Sequence, residues 1–243
     1  MVSIILGENT TMPNDIIYIL KDNITTTELK YSLRSVEENF PHRRVFFVGG
    51  QPKGLKPDFA IKHQQIGDSK WAMIKSSMWK AVNCSELSDD FFLFNDDFFV
   101  MKPALGSFVN YADRTLSDRI EEFRKENPWL NPYARTLLKA KEELKTLGYG
   151  EVNYDVHMPM LFNKKLVKET INQCSSPQFR SVYGNINSIP YVQHKDVKVY
   201  DMETIPKNPD YLSTNDEVYR HGKVGMYIRA TFTTPSRFEV TEE

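Results

Sequence analysis

The sequence predicts an α/β fold, a mostly parallel sheet flanked by helices. Three observations carry this expectation. Short apolar runs alternate with segments of helical spacing. The runs are continuous, as in strands covered on both faces. Acidic and amide residues gather just after one of them, where open α/β sheets bind ligands. The 243 residues fit one large domain or two small ones, read here as a single domain over 1–243 with a helical insertion at about 112–150.

The elements follow in order. Met1 to Gly7 is apolar and lacks the basic start of a secretory signal, so it reads as a first strand. Ile16 to Leu20 is a strand. Thr25 and Glu28 have capping-box spacing, after which Leu29, Leu33 and Val36 recur on one helical face. Arg44 to Val48 is the next strand, closed by Gly49-Gly50, and Ala60-Ile61 a weaker one. Lys70 to Val82 reads as a helix with Trp71, Ile74, Met78 and Ala81 on one stripe. Phe91 to Phe94 and Phe98 to Val100 are aromatic-rich runs suited to buried strands. Asp113 to Leu147 is rich in Lys, Arg and Glu, with two helices broken near Pro128 and Pro132. It reads as a surface hairpin, either a solvated face or a lid or acceptor-binding insertion. Lys164 to Cys174 is a further helix, and the Pro- and Asn-rich residues 200–216 read as loop.

Composition narrows the function classes. Hydrophobic residues at 40% with 12% aromatics are globular rather than disordered. A net charge of −1 gives no global field toward nucleic acid or anionic membrane, although Lys141 and Lys145 stand one helical turn apart. No run approaches the roughly 20 apolar residues of a membrane span. Cys84 and Cys174 have no metal or redox spacing and read as free thiols, so a cytoplasmic location is expected. No Walker loop, Gly-x-Gly-x-x-Gly turn, Cys/His zinc set or Gly-x-Ser-x-Gly elbow is present.

The chemistry concentrates at Asn95-Asp96-Asp97, between the two aromatic runs. Adjacent carboxylates away from water need a partner. Mg²⁺ or Mn²⁺ carrying phosphate oxygens is the partner that best explains them. The plainer alternative is a polar turn in a hairpin. Asn95 either orients a carboxylate, contacts a sugar or serves the turn. His157 in Tyr154-Asp155-Val156-His157-Met158-Pro159 suits general-base work at neutral pH. Asp155 either orients it or is itself the base, and the plain alternative is a structural histidine before a proline turn. Thr214-Asn215-Asp216-Glu217 and the tail Pro235-Ser236-Arg237-Phe238-Glu239 form a third candidate, the plain alternative being loops with ordinary turn chemistry. Arg34, Arg180 and Arg237 are either phosphate clamps or ion-pair partners. Tyr31, Trp71 and Trp79 either stack on a base or sugar or pack in the core.

In order, these stretches resemble the Stealth family, the sugar-1-phosphate transferases of capsule synthesis and of lysosomal-enzyme tagging. Residues 15–22, ending in Asp22, resemble its first block. Residues 28–37, then Gly50-Gln51-Pro52, then Phe94-Asn95-Asp96-Asp97, resemble the second. His157-Met158-Pro159 resembles the core of the third, and Asn215-Asp216 with Thr234 to Glu239 the fourth. The resemblance implies a GT-A-like, Rossmann-like fold as in nucleotide-diphospho-sugar transferases, a UDP-sugar donor and a divalent metal. It implies that Asp96 and Asp97 stand at metal and diphosphate, His157 at the reaction centre, Asp22 near the nucleotide, and Asn215 and Asp216 near metal or donor. Arg180 matches a basic residue the family places after its third block.

This chain departs from the pattern around donor recognition. Leu20-Lys21 stands where the family has a tryptophan, Gly49 where it has an Asp, and Ala72 to Lys75 where it is rich in Asn and Ser. Two chemistries therefore stay open. Attack on the β-phosphorus transfers sugar-1-phosphate, and attack on the anomeric carbon transfers the sugar alone. The acceptor is expected to be a hydroxyl on a glycan or teichoic-type polymer, with a hydroxylated DNA base unsupported by the charge balance. A non-catalytic nucleotide-sugar-binding protein is the remaining alternative.

Overall fold

The computed structural model describes residues 14–22, 26–63, 70–104, 108–126 and 128–240. The strand expected at Met1 to Gly7 and Thr25 of the capping box lie outside these residues, as does the side chain of Trp71.

The first half builds a sheet outward from one central strand. Strand β1 (Asp15–Leu20) leads into helix α1 (Thr26–Asn39), which returns to β2 (Val45–Gly49) beside β1 and then to β3 (Phe59–Ile61) at the edge. Helix α2 (Lys70–Val82) then carries the chain to β4 (Asp90–Phe94), on the other side of β1. These four strands are parallel. The change of direction makes the carboxyl ends of β1 and β4 the switch point of the sheet, the place where open α/β sheets bind ligands.

The two-residue period of a strand explains why these runs are apolar throughout. Ile17, Phe46, Val48, Phe91 and Leu93 enter one buried cluster with Met78 and Val82 of α2. Ile16, Tyr18, Leu20, Val45, Phe47, Phe92 and Phe94 enter another with Leu29, Leu33 and Val36 of α1. Each such side chain contributes about 1.5–3 kcal/mol of burial free energy. At the amino edge, the fully buried Asp15 is held by Arg43 at 2.6 Å and Arg44 at 3.3 Å and accepts from the Ser88 N–H at 2.8 Å. At the carboxyl edge, the Gly50 N–H donates to Leu20 O at 2.9 Å. A Cβ on Gly50 would lie 2.0 Å from the Lys21 oxygen, so the glycine lets β1 and β2 close on each other.

After β4 the chain leaves this sheet. Strand β5 (Phe98–Val100) belongs to a second, three-stranded sheet, so Asn95-Asp96-Asp97 is a crossing between sheets and not a hairpin turn. Strand β6 (Asn110–Ala112) precedes α3 (Leu116–Glu126) and α4 (Pro132–Thr146), a helical hairpin. Pro132 opens α4, and the Asn131 side chain caps it by accepting from the Ala134 N–H. The hairpin is more than a solvated surface. Its Leu116, Ile120, Leu137, Ala140 and Leu144 are buried with Val182.

Strand β7 (Met160–Asn163) adds an antiparallel edge beside β4 and runs into α5 (Lys164–Gln173) and α6 (Phe179–Ile186). Strand β8 (Tyr191–Gln193) pairs with β6. Strand β9 (Lys198–Val199) pairs parallel with β10 (Tyr211–Thr214), which pairs antiparallel with β5. Helices α7 (Asp216–His221) and α8 (Lys223–Thr231) end the described elements. The loop expected at 200–216 is corrected at its end. Tyr211 to Thr214 is too short and polar to announce a strand, and its bonds to β5 and β9 make it one. The α/β class with a mainly parallel central sheet is the observed one.

Candidate active site

Asp96 and Asp97 stand at the switch point, on the crossing from β4 to β5. The Phe98 N–H donates to Asn95 O at 3.2 Å and tightens the crossing. Arg180 of α6 lies buried beneath it. Its guanidinium donates to Met158 O at 2.8 Å, to Leu93 O at 3.2 Å and to Asn95 Oδ1 at 3.3 Å, and sits 5.3 Å from the Phe98 ring. Burial pulls the Arg180 pKa down to about 10, against the opposing pull of Asp155 and Asp97, so it stays cationic at neutral pH.

Asp97 is a half-satisfied carboxylate. Its Oδ2 accepts from the Lys198 ammonium at 2.9 Å and the Ser213 hydroxyl at 3.2 Å, while Oδ1 is buried without a hydrogen-bond partner. Burial works against the charge on Lys198, but Asp97 outweighs it and holds the ammonium above its usual pKa. Glu28, in the first turn of α1, faces the same acids and accepts from the Thr214 hydroxyl at 3.3 Å. Burial, then Asp216, Asp97 and Asp96, push the Glu28 pKa up to about 8. Glu28 is therefore protonated at neutral pH and shares a hydrogen bond with Asp216.

His157 approaches the same crossing from the segment before β7. Its backbone is left-handed at φ 47°, a costly state for a residue with a side chain. Nδ1 lies 2.9 Å from both oxygens of Asp196, which fixes the ring. An Nδ1–H donating to that carboxylate leaves the Nε2 lone pair for another proton. Phe98 meets the ring edge-on with centroids 6.3 Å apart, so His157 and the two acids flank one residue. Asp155 accepts from the Tyr133 hydroxyl of α4 at 2.8 Å, and Tyr133 packs at 5.7 Å against Phe123 of α3. The helical hairpin thus reaches the site through Tyr133.

The remaining candidates divide. Asp216 is exposed beside Glu28. The Asn215 side chain caps α7 by accepting from the Val218 N–H at 2.8 Å. Asp22 is exposed just past β1, close enough to act on His63. Arg34 is not brought to the acids. It forms a bidentate pair with Glu239, both bonds at 2.7 Å, and donates to Phe232 O and Thr233 O. Arg237 pairs with Glu37 and Asp58, and Asp58 precedes β3 at the opposite, amino-terminal edge. Asp196, Lys198 and Ser213 complete the site and carry no spacing signal of their own, while Glu28, read from the sequence as a capping-box residue, and Thr214, beside Asn215-Asp216, join them there.

Among the described residues, no group of three or more His, Cys, Asp or Glu side chains is arranged to hold a metal ion. Two carboxylates still suit Mg²⁺ or Mn²⁺, which use one or two acids and complete their shell with water and substrate phosphates. The unpartnered Asp97 Oδ1 fits such a cation. A cavity of about 740 Å³ opens elsewhere, beside Asp89 and Lys164 at the amino end of β4. Its lining sets Asp89 and Glu169 among Lys164, Lys165 and Lys168 and holds no histidine, so chemistry rather than concavity locates this site.

No protein-family model and no curated protein matches the chain. Solved structures with some likeness include glycosyltransferases. The apo form of the glycosyltransferase GlyE of Streptococcus pneumoniae TIGR4 is 12% identical with a TM-score of 0.44 over 92% of this chain. This chain spans 61% of that protein. The galactosyltransferase LgtC, in complex with donor and acceptor sugar analogs, is 11% identical with a TM-score of 0.38 over 92% of this chain and 98% of that one. Mouse xyloside xylosyltransferase 1 is 11% identical with a TM-score of 0.36 over 94% and 96%. No helix among the described residues is long and apolar enough to cross a membrane.

Proposed function

We propose that this chain is a nucleotide-sugar-dependent transferase acting on a hydroxyl acceptor of a glycan or polymer. The observation that carries the reading is the opposition of two acids at the switch point to a histidine fixed by a carboxylate. Asp96 and Asp97 would hold a divalent cation, and when bound it supplies positive charge to the departing phosphate. His157 accepts the acceptor's hydroxyl proton at Nε2, and Asp196 holds the ring in place at Nδ1. Arg180 adds charge from beneath Asn95 without contacting the donor, because its bonds go to the protein. Asp155 and Tyr133 offer a carboxylate and a hydroxyl to the acceptor side.

The four Stealth-like blocks favour UDP-sugar as donor and sugar-1-phosphate as the group moved. Transfer of the sugar alone uses the same residues and is the second reading, favoured by the changes in the donor blocks at Leu20-Lys21 and Gly49. Mass spectrometry of the nucleotide released from a panel of NDP-sugars, with Mn²⁺ or Mg²⁺ against EDTA, tests both. Cation-dependent UMP upholds sugar-1-phosphate transfer, UDP upholds glycosyl transfer, and neither, with acceptor glycans present, rejects the enzyme.

A further inference from the structure

The segment 196–198 touches both the histidine and the acids of the site. Asp196 holds His157, and Lys198, two residues on, pairs with Asp97 at 2.9 Å. The Lys198 backbone is fixed: its N–H donates to Asp196 Oδ1 at 3.0 Å, and it stands opposite Ser213 in the β9–β10 pair. Its ammonium is less confined, at the end of a flexible stem with 16% of the side chain exposed.

We propose that Lys198 is a ligand for the diphosphate of the nucleotide donor, kept at the site by Asp97 until the donor arrives. This rests on the transferase reading above. The argument is one of charge. Asp96, Asp97 and Asp216 crowd Glu28, so the site is acidic, and a diphosphate enters an acidic site only if positive charge meets it. The arginines that could clamp phosphate are committed. Arg34 is engaged by Glu239, Arg237 by Glu37 and Asp58, and Arg180 by main-chain carbonyls and Asn95. Lys198 is paired to an acid that a cation would also use. Once Asp96 and Asp97 hold a cation, Asp97 needs the ammonium less, and the diphosphate is the nearest new anion. A lysine binds phosphate as a point charge, which requires only rotation of its stem.

Calorimetric titration with UDP, with uridine and with Mn²⁺ alone tests this on wild type, Lys198→Met and Lys198→Arg. In saturating Mn²⁺, Lys198→Met should weaken UDP by about tenfold or more and leave uridine unchanged, and Lys198→Arg should recover most of the loss. Mn²⁺ alone should bind Lys198→Met at least as tightly as wild type, since a competing cation is gone. Equal UDP affinity in wild type and Lys198→Met overturns the proposal and leaves Lys198 a counter-ion of Asp97. Should Lys198→Met not fold, Asp97→Asn is compared with Asp97→Asn/Lys198→Met, in which no lone charge remains. The double variant should again bind UDP about tenfold more weakly, and equality overturns the proposal. A wild type that binds neither UDP nor uridine overturns the UDP-sugar donor on which this proposal rests, an outcome distinct from a failure of Lys198 alone.

Discussion

Glu28→Gln should stabilise the protein above neutral pH and barely change it in mild acid. Glutamine keeps the shape, an acceptor for the Thr214 hydroxyl and a donor toward Asp216, and removes only the ionisation. Burial and the facing acids lift the carboxyl from its ordinary 4.5 to about 8 in the folded chain. A group whose pKa is raised by folding contributes its stability in full below the unfolded value and loses it as pH rises through the folded one. Wild type therefore loses up to about 5 kcal/mol from this carboxyl between its two pKa values, at roughly 1.4 kcal/mol for each tenfold change in proton concentration. Relaxation of the exposed Asp216 reduces this to a few kcal/mol. The assay is urea unfolding of both proteins at about pH 5, 7 and 9 without divalent cations, read as the difference between them. Taking the difference cancels the titration of the acids that do not face Glu28. A gap favouring glutamine that widens with pH supports the cluster. A gap that is the same at all three pH values refutes it, because Glu28 would then ionise as it does in the unfolded chain.

Three further outcomes are expected. Asp196→Ala should shift His157 from the Nδ1–H toward the Nε2–H tautomer in nitrogen NMR and lower turnover by about tenfold or more; an unchanged tautomer would show that Asp196 does not orient the ring. Asp97→Asn should lower donor cleavage by about a hundredfold in protein that circular dichroism shows to be folded at the assay temperature, and turnover retained by the folded variant would make the carboxylate structural. Asp15→Asn should cost about 3 kcal/mol at neutral pH by leaving Arg43 and Arg44 without their acid. Although burial opposes it, the two arginines hold the Asp15 carboxyl below its ordinary 3.8, so this stability exists above that value and disappears as pH falls through the folded pKa. A wild-type advantage that stays full at about pH 2 in urea titrations would sink that account.

The sequence by itself determined the local part of this protein. Ile16 to Leu20, Val45 to Val48 and Phe91 to Phe94 are strands because continuous apolar runs need cover on both faces, and α1 and α2 supply it with Leu33 and Met78. The position of Asp96 and Asp97 at a strand end was also legible, since both neighbouring runs are apolar. Only the tertiary structure decided which distant charges meet. Asp196 reaches His157 across 39 residues, Lys198 reaches Asp97 across 101, and Thr214 reaches Glu28 across 186. It also decided the fate of the arginines. A guanidinium suits phosphate and carboxylate alike, and Arg34 closes on Glu239, 205 residues away, because the chain's end folds back onto α1. Hydrophobic period is written along the chain within a few residues, whereas an ion pair depends on where two unrelated segments come to rest.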